Sequence, residues 1–314
     1  MNNSFVKDFR LLKNKKIVLI SGGISSERKI AQKSSAAVEK ALINLGLKYT
    51  RIDFNEKNRK DIFSLIRKAN PDVAFLGLHG AYGEDGRIQG ALDIIGVKYA
   101  GSKMLGSAVT MDKIVAKKLL LGENLPTPAF VEYAGKKIKF KLPAVVKPAD
   151  GGSTVGVTIV KNSRAFEKAV KLALKYCPKV LIEKYIKGRE VTVPVFFGRV
   201  LPVIEIIPKT SFYDFAAKYT KGMSVHIMPA KLEKKLYAEI QKLALLTHET
   251  LLLKDYSRID FMIEEKSNKP YILEANSLPG LTGTSLLPEA ARYAGISFEE
   301  LVLKMLAGAV RNGQ

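Results

Sequence analysis

Two short stretches carry residues whose types and spacing suit chemistry: Arg258-Ile-Asp260 and, further along, Glu274-Ala-Asn276. At strand periodicity Arg258 and Asp260 share one face of 258–263, and Glu274 and Asn276 share one face of 271–276. Were the two strands adjacent, three oxygen donors and one guanidinium would converge. Hard oxygen donors suit Mg²⁺, which keeps several waters and shares its shell with substrate phosphates. An arginine beside such a metal stabilises charge that develops on a reacting group. Taken one at a time, the same residues also serve as surface ion pairs on a hairpin, so the remaining motifs decide.

Lys147-Pro-Ala-Asp-Gly-Gly-Ser-Thr-Val-Gly156 puts a lysine at a strand end before a glycine-rich turn. Backbone amides of such a turn cradle phosphate oxygens while the lysine supplies a point charge. It is not a P-loop, because Gly-x-x-x-x-Gly-Lys-Ser/Thr occurs nowhere in the chain and a strand is expected to follow. Glu183-Lys-Tyr-Ile186 ends a strand, and Glu190 opens the next. A connection of that kind offers backbone donors and acceptors to an adenine and a carboxylate to ribose hydroxyls, although it also reads as an ordinary polar hairpin. Lys113 lies on an expected helix, where a solvated lysine is the plain alternative.

The elements that must position these groups follow from periodicity. Strands are predicted over 16–21, 48–54 and 73–78, with helices over 26–45 and 59–69 between them. That alternation argues for a doubly wound parallel sheet, whose ligands gather at the carboxyl ends of the strands. Ser21-Gly-Gly-Ile-Ser-Ser-Glu27 and His79-Gly-Ala-Tyr-Gly-Glu-Asp-Gly86 fall at those ends. A helix is predicted over 111–122. After it come strands over 144–147, 155–161 and 180–185 with a helix over 165–176, then strands over 190–197, 200–207, 257–263 and 271–276. Helices are predicted over 231–252, 285–293 and 298–310. The resulting division is an N-terminal α/β domain (1–100), a central domain (101–187) and a C-terminal domain (188–314). Segment 208–228 lacks periodicity and is rich in Lys, Tyr and Gly, as lids often are.

Composition bounds the function. The chain has 314 residues, 47% hydrophobic and 26% charged, enough for two or three folded domains. No apolar run approaches a membrane span, and the basic N-terminus leads into an apolar run too short for a signal peptide, so a cytoplasmic location is expected. A net charge of +21 could attract nucleic acid. The lysines are scattered and no basic block interleaves with aromatics, so a surface that collects anionic nucleotides, or simply a lysine-biased composition, is the simpler reading, with no nucleic-acid partner. Cys177 has no second cysteine to pair with and reads as structural.

In order along the chain, these motifs resemble the D-alanine–D-alanine ligase family of ATP-grasp enzymes. The carriers are Gly22-Gly-Ile-Ser-Ser-Glu-Arg28, the stretch from His79 to Gly90, Met111-Asp-Lys113, Lys147 to Gly156, Phe212-Tyr-Asp-Phe-Ala-Ala-Lys-Tyr219, Arg258-Ile-Asp260 and Leu273-Glu-Ala-Asn-Ser-Leu-Pro-Gly280. The chain departs from the family at Lys29-Ile-Ala31 and Gly151, neither of which removes a reacting group. The resemblance implies an ATP-grasp fold behind the parallel domain and ATP bound between the central and C-terminal domains. Lys113 and Lys147 would hold its phosphates, Glu183, Lys184 and Ile186 its adenine, and Glu190 its ribose. Asp260, Glu274 and Asn276 would hold two Mg²⁺, with Mn²⁺ as a substitute and Glu274 bridging both.

The implied reaction joins two D-alanines through an acyl phosphate, for peptidoglycan precursor synthesis. Glu27 would pair with the first ammonium near His79, and Ser285 with the Leu286 amide would hold the second carboxylate. Arg258 and the Gly280 amide would meet the oxyanion. Ser153 and Tyr219 would latch the lid with Glu27 while Lys218 reaches the γ-phosphate, and a homodimer is expected. The alternative is a sister ligase that joins D-alanine to D-lactate or D-serine; ester-forming members typically carry histidine where this chain has Tyr219.

Overall fold

The computed structural model describes residues 3–135, 140–152, 154–208 and 224–312. Its first sheet is parallel, in the order β2 (Tyr49–Phe54), β1 (Ile17–Gly22), β3 (Val73–Leu78), β4 (Lys98–Tyr99). β1 and β3 are buried along their whole length, as expected of apolar runs covered on both faces. Gly22 pairs with Leu78, so the loops that follow β1 and β3 emerge side by side. That register brings the Glu27 and His79 segments together.

Helices α1 (Asn3–Leu12), α2 (Arg28–Asn44), α3 (Ile62–Ala69) and α4 (Arg87–Ile94) flank this sheet. α1 is not among the helices expected from periodicity. It docks on the last helix, where Arg311 donates to the buried Asp8. α5 (Met104–Met111) and α6 (Lys113–Gly122) follow. The single helix expected over 111–122 is therefore broken: Asp112 has extended backbone (φ −84°, ψ 99°), and its carboxylate caps the amides of Ile114 and Val115 at 3.0 and 3.2 Å. The break puts Lys113 in the first turn of α6.

A second, antiparallel sheet has the order β5 (Phe130–Glu132), β8 (Val180–Lys184), β6 (Ala144–Pro148), β7 (Thr158–Val160), backed by α7 (Ser163–Leu174). The strand expected over 155–161 is confined to β7, because the glycine turn extends further than its sequence suggested. The third sheet runs β12 (Ser224–Ile227), β11 (Ile204–Pro208), β9 (Gly188–Phe196), β13 (Tyr256–Glu264), β14 (Pro270–Asn276), with β10 (Arg199–Val200) on β9. The strand expected over 200–207 is two pieces, since Pro202 has no amide to give a ladder. The flanks of the 208–228 segment, expected to be irregular, pair as strands, with Pro208 opposite Ser224.

Helix α8 (Lys234–Thr250) covers the third sheet, α10 (Phe298–Asn312) returns to the first, and α9 (Leu286–Tyr293) packs on α10 and β9. In α10, Leu301, Val302, Met305, Leu306 and Ala309 recur at helical spacing and are buried in the same cluster as β1 and β3. The C-terminal segment thus closes the core of the N-terminal sheet. Truncating one of these leucines to alanine is expected to cost about 2–5 kcal/mol. No described helix is long and apolar enough to cross a membrane.

Candidate active site

β13 and β14 are antiparallel neighbours with Arg258 opposite Asn276 and Asp260 opposite Glu274. The convergence expected from periodicity is present. A β-bulge follows the Asp260–Glu274 pair, leaving Leu273 as the extra residue. Bulges of this kind re-aim side chains, and here Leu273 and Glu274 both face one cleft.

Asp260 is buried and accepts both guanidinium donors of Arg258, at 3.0 and 2.9 Å. Thr192 on β9 donates to its Oδ1 at 2.5 Å, and the Asn276 amide donates to its Oδ2 at 3.1 Å. The amide nitrogen of Asn276 thus faces Asp260, which leaves Oδ1 as its acceptor end. Two carboxylates and one amide oxygen make a hard donor set that fits Mg²⁺ only if other oxygens complete the shell. In keeping with that, no group of three His, Cys, Asp or Glu side chains among the described residues could hold a metal alone.

The cleft between the second and third sheets encloses about 870 Å³. Its walls are mostly apolar, with Val145, Val157, Ile186, Met262 and Leu273 facing each other. Lys113, Lys147, Glu183, Lys184 and Glu190 also line it, together with Asp260 and Glu274. Lys113 donates to the Gly151 carbonyl at 2.6 Å and lies 3.6 Å from Glu274, so it links the glycine turn to the donor set. Glu183 is buried, with Lys147 2.6 Å from Oε1 and Lys117 2.9 Å from Oε2. Burial pushes this carboxyl upward, but Lys117 and Lys147 outweigh it and hold it below its ordinary value. Lys117 and Lys147 thus each take one oxygen of the Glu183 carboxylate. Lys184 turns outward to Glu264, 3.1 Å away, so its contribution to the wall is its stem and backbone.

A second cleft of about 720 Å³ abuts the first. It is polar, lined by Glu27, His79, Glu84 and Arg258 and by Asn276, Gly280, Ser285 and Leu286. His79 is buried, with the Glu84 carboxylate 3.9 Å from Nδ1 and the Ser34 hydroxyl 3.2 Å from Nε2. Burial alone would lower the imidazole pKa; Glu84, with Glu27 and the Leu278 backbone, overrides that and raises it. Ser285 precedes α9 without capping it, and its hydroxyl instead accepts from the Thr282 amide at 3.0 Å. Gly280 has no room for a side chain, since a Cβ would stand 2.8 Å from the Ser285 hydroxyl.

Gly152 and Glu274 line both clefts. A Cβ on Gly152 would lie 2.8 Å from Glu27 Oε2, so the glycine turn presses on the N-terminal domain at this point. Every described residue expected at the site lines one cleft or the other. Ser153, Lys218 and Tyr219 lie outside the described residues. Periodicity and resemblance assign no role to Glu84, Lys117 or the apolar pair Met262 and Leu273. Glu84 stands inside a quoted motif, five residues past His79, and was the easiest of these to find; Lys117 reads as one of two adjacent solvated lysines.

Comparison with known families and structures agrees with this geometry. The family model described as D-ala D-ala ligase C-terminus matches residues 129–307, and the one described as D-ala D-ala ligase N-terminus matches 47–102. A D-alanine–D-alanine ligase from Geotalea uraniireducens is 45% identical over 304 residues, 95% of this chain and 96% of the relative. One from Trichlorobacter lovleyi is 42% identical, covering 96% of this chain and 98% of the relative. Among solved structures, the Bacillus anthracis D-alanine–D-alanine ligase complexed with ATP superimposes with a TM-score of 0.83 at 34% identity. That match covers 95% of this chain and 97% of the other.

Proposed function

The chain belongs to the D-alanine–D-alanine ligase family, and we propose how its two clefts divide the ligation between them. The fold is the ATP-grasp fold preceded by a parallel α/β domain, and the activity is the ATP-dependent joining of two D-alanines for peptidoglycan precursors. The larger cleft takes the nucleotide and the polar cleft takes the amino acids. The observation that carries this reading is their shared wall at Gly152 and Glu274, where the end of a polyphosphate meets a carboxylate held beside Glu27 and His79.

In the larger cleft the apolar walls sandwich adenine. The Glu183 carboxylate, flanked by its two lysines, accepts the exocyclic amine. Backbone of Lys184 and Ile186 reads the ring edge, and Glu190 takes the ribose hydroxyls. Lys113 and Lys147 neutralise phosphate oxygens. Asp260, Glu274 and Asn276 would hold two Mg²⁺, or Mn²⁺ in their place. When bound, the metal would supply charge neutralisation on the transferring phosphoryl group.

In the polar cleft Glu27 holds the ammonium of the first D-alanine, and His79, raised by Glu84, stands beside its carboxylate. That carboxylate oxygen attacks phosphorus, and ADP leaves an acyl phosphate. Ser285 and the Leu286 amide, at the head of α9, hold the carboxylate of the second D-alanine. Its amine attacks the acyl carbon, Arg258 and the Gly280 amide stabilise the oxyanion, and phosphate departs. Ser153, Lys218 and Tyr219, outside the described residues, are the groups assigned by resemblance to keeping water from an intermediate that would hydrolyse. The enzyme works as a cytoplasmic homodimer.

Phosphate release measured with D-alanine, D-lactate and L-alanine, with products identified by mass, tests the whole reading. D-Alanyl-D-alanine formed only with ATP is the expected result. Phosphate release that favours D-lactate would transfer the chain to the ester-forming ligases.

A further inference from the structure

Lys117 is 1% exposed and lines neither cleft, yet it touches the wall of the larger one. An ammonium buried so completely is costly unless its charge is used. Its position joins three elements. It lies 2.9 Å from Glu183 on β8 and donates to the Thr127 hydroxyl, which donates to the Ile272 carbonyl of β14 at 2.9 Å. The Phe130 ring of β5 stands 5.6 Å away. Lys147, on β6, already pairs with the other Glu183 oxygen at 2.6 Å. One carboxylate thus faces two ammonium groups. A single lysine would have neutralised it, so the second is surplus as a structural pair.

We propose that Lys117 is a positioning residue for the nucleotide: it balances the Glu183 carboxylate, so that Lys147 keeps its positive charge for a polyphosphate. With both lysines charged, the triad carries a net charge of about +1 into an apolar-walled cleft, where low dielectric makes a single charge count. Without Lys117 the Lys147–Glu183 pair is neutral. Lys113 does not substitute, because it faces Glu274 and the Gly151 carbonyl. Burial lowers Lys117 to about 8; Glu183 and Glu274 oppose this and Lys147 adds to it. It therefore remains mostly protonated at neutral pH. The proposal rests on the larger cleft being the nucleotide site.

Binding of ADP and of adenosine to the full chain, compared by calorimetry or competition, reads this charge directly, because adenosine shares the ring contacts and lacks the phosphates. Lys117→Met is expected to weaken ADP relative to adenosine by at least about 10-fold. Lys117→Arg keeps the charge and should hold the ratio within about 3-fold of wild type. The double variant Lys117→Met/Glu183→Gln returns the triad to about +1 and should recover most of the lost ratio. If Lys117→Met does not fold, adding Lys117→Met to Glu183→Gln must lower that ratio by a similar factor. Equal losses for ADP and adenosine, or a double variant no better than Lys117→Met, would overturn the charge role and leave Lys117 a structural group. Wild-type protein that binds no ADP would instead overturn the nucleotide assignment itself.

Discussion

The two clefts lie side by side and are built in opposite ways. The larger is walled by two antiparallel sheets, and its ionic groups come from neighbouring strand ends and the first turn of one helix. The polar cleft is assembled from four separated stretches: the loop before α2, the loop after β3, the glycine turn, and the run from β13 and β14 into α9. A site made from hairpins depends on local register. One made from distant loops depends on how domains meet, so small displacements matter more there. The groups differ in kind as well. Lysines and buried apolar side chains suit a large anion with a flat base, whereas Glu27, His79, Glu84 and Arg258 suit a small zwitterion that must be oriented.

The shared wall is where the contrast is most easily broken. Glu274→Gln removes one charge from the donor set and from the Lys113 contact while keeping its shape. Turnover measured by phosphate release is expected to fall at least about 10²-fold, as for loss of a group that acts on the transferring phosphoryl. Adenosine binding should barely change. Near-native turnover would remove Glu274 from the junction and with it the division of labour between the clefts.

The same contrast explains what was legible in the sequence. Strand alternation in 258–263 and 271–276 is enough to predict a shared face, because period two allows only two choices. The bulge at Leu273 is invisible to that pattern, since it arises from one extra residue in the pairing of β13 and β14. Asp112 was read within a helix, because its helical neighbours set the periodicity on both sides; its extended backbone follows from capping α6 and from Lys179, 2.9 Å away. Lys117 and Lys118 look alike in sequence, and only the docking of α6 on β8 buries one and leaves the other exposed. The resemblance supplied the polar-cleft residues Glu27, His79 and Ser285, which no local pattern would have joined across more than two hundred positions.

A smaller effect separates the clefts by ligand. Gly152 has no left-handed backbone to protect, so Gly152→Ala acts through space alone: its methyl would stand 2.8 Å from Glu27 Oε2 and 3.1 Å from Oε1. Displacing that buried carboxylate should raise the KM for the first D-alanine about 10-fold, roughly one charge-assisted contact, with ADP affinity unchanged within about 2-fold. If ADP binding drops as much as D-alanine binding, the glycine turn serves the two clefts as one unit and the contrast fails at this point.

The last and smallest effect concerns the electrostatics of the polar cleft. His79 is held above its ordinary value of 6.5 despite burial, because Glu84 sits beside Nδ1 with further help from Glu27 and the Leu278 backbone. A group raised on folding contributes stability that is fully present below its unfolded pKa and is lost as pH rises through the folded one. The charged imidazole, and any pull it exerts on the substrate carboxylate, is lost over the same range. Glu84→Gln removes the largest raising influence and leaves burial, which acts the other way. The imidazole titration, followed by NMR, should therefore move to lower pH. The rise in KM for D-alanine that accompanies His79 deprotonation should begin at lower pH as well, giving an increase of about 3-fold near neutrality, below 1 kcal/mol. Adenosine and ADP affinities should show no matching shift. A titration that stays in place after the substitution would mean that Glu84 does not set the charge of His79, and that the polar cleft orients its substrate without it.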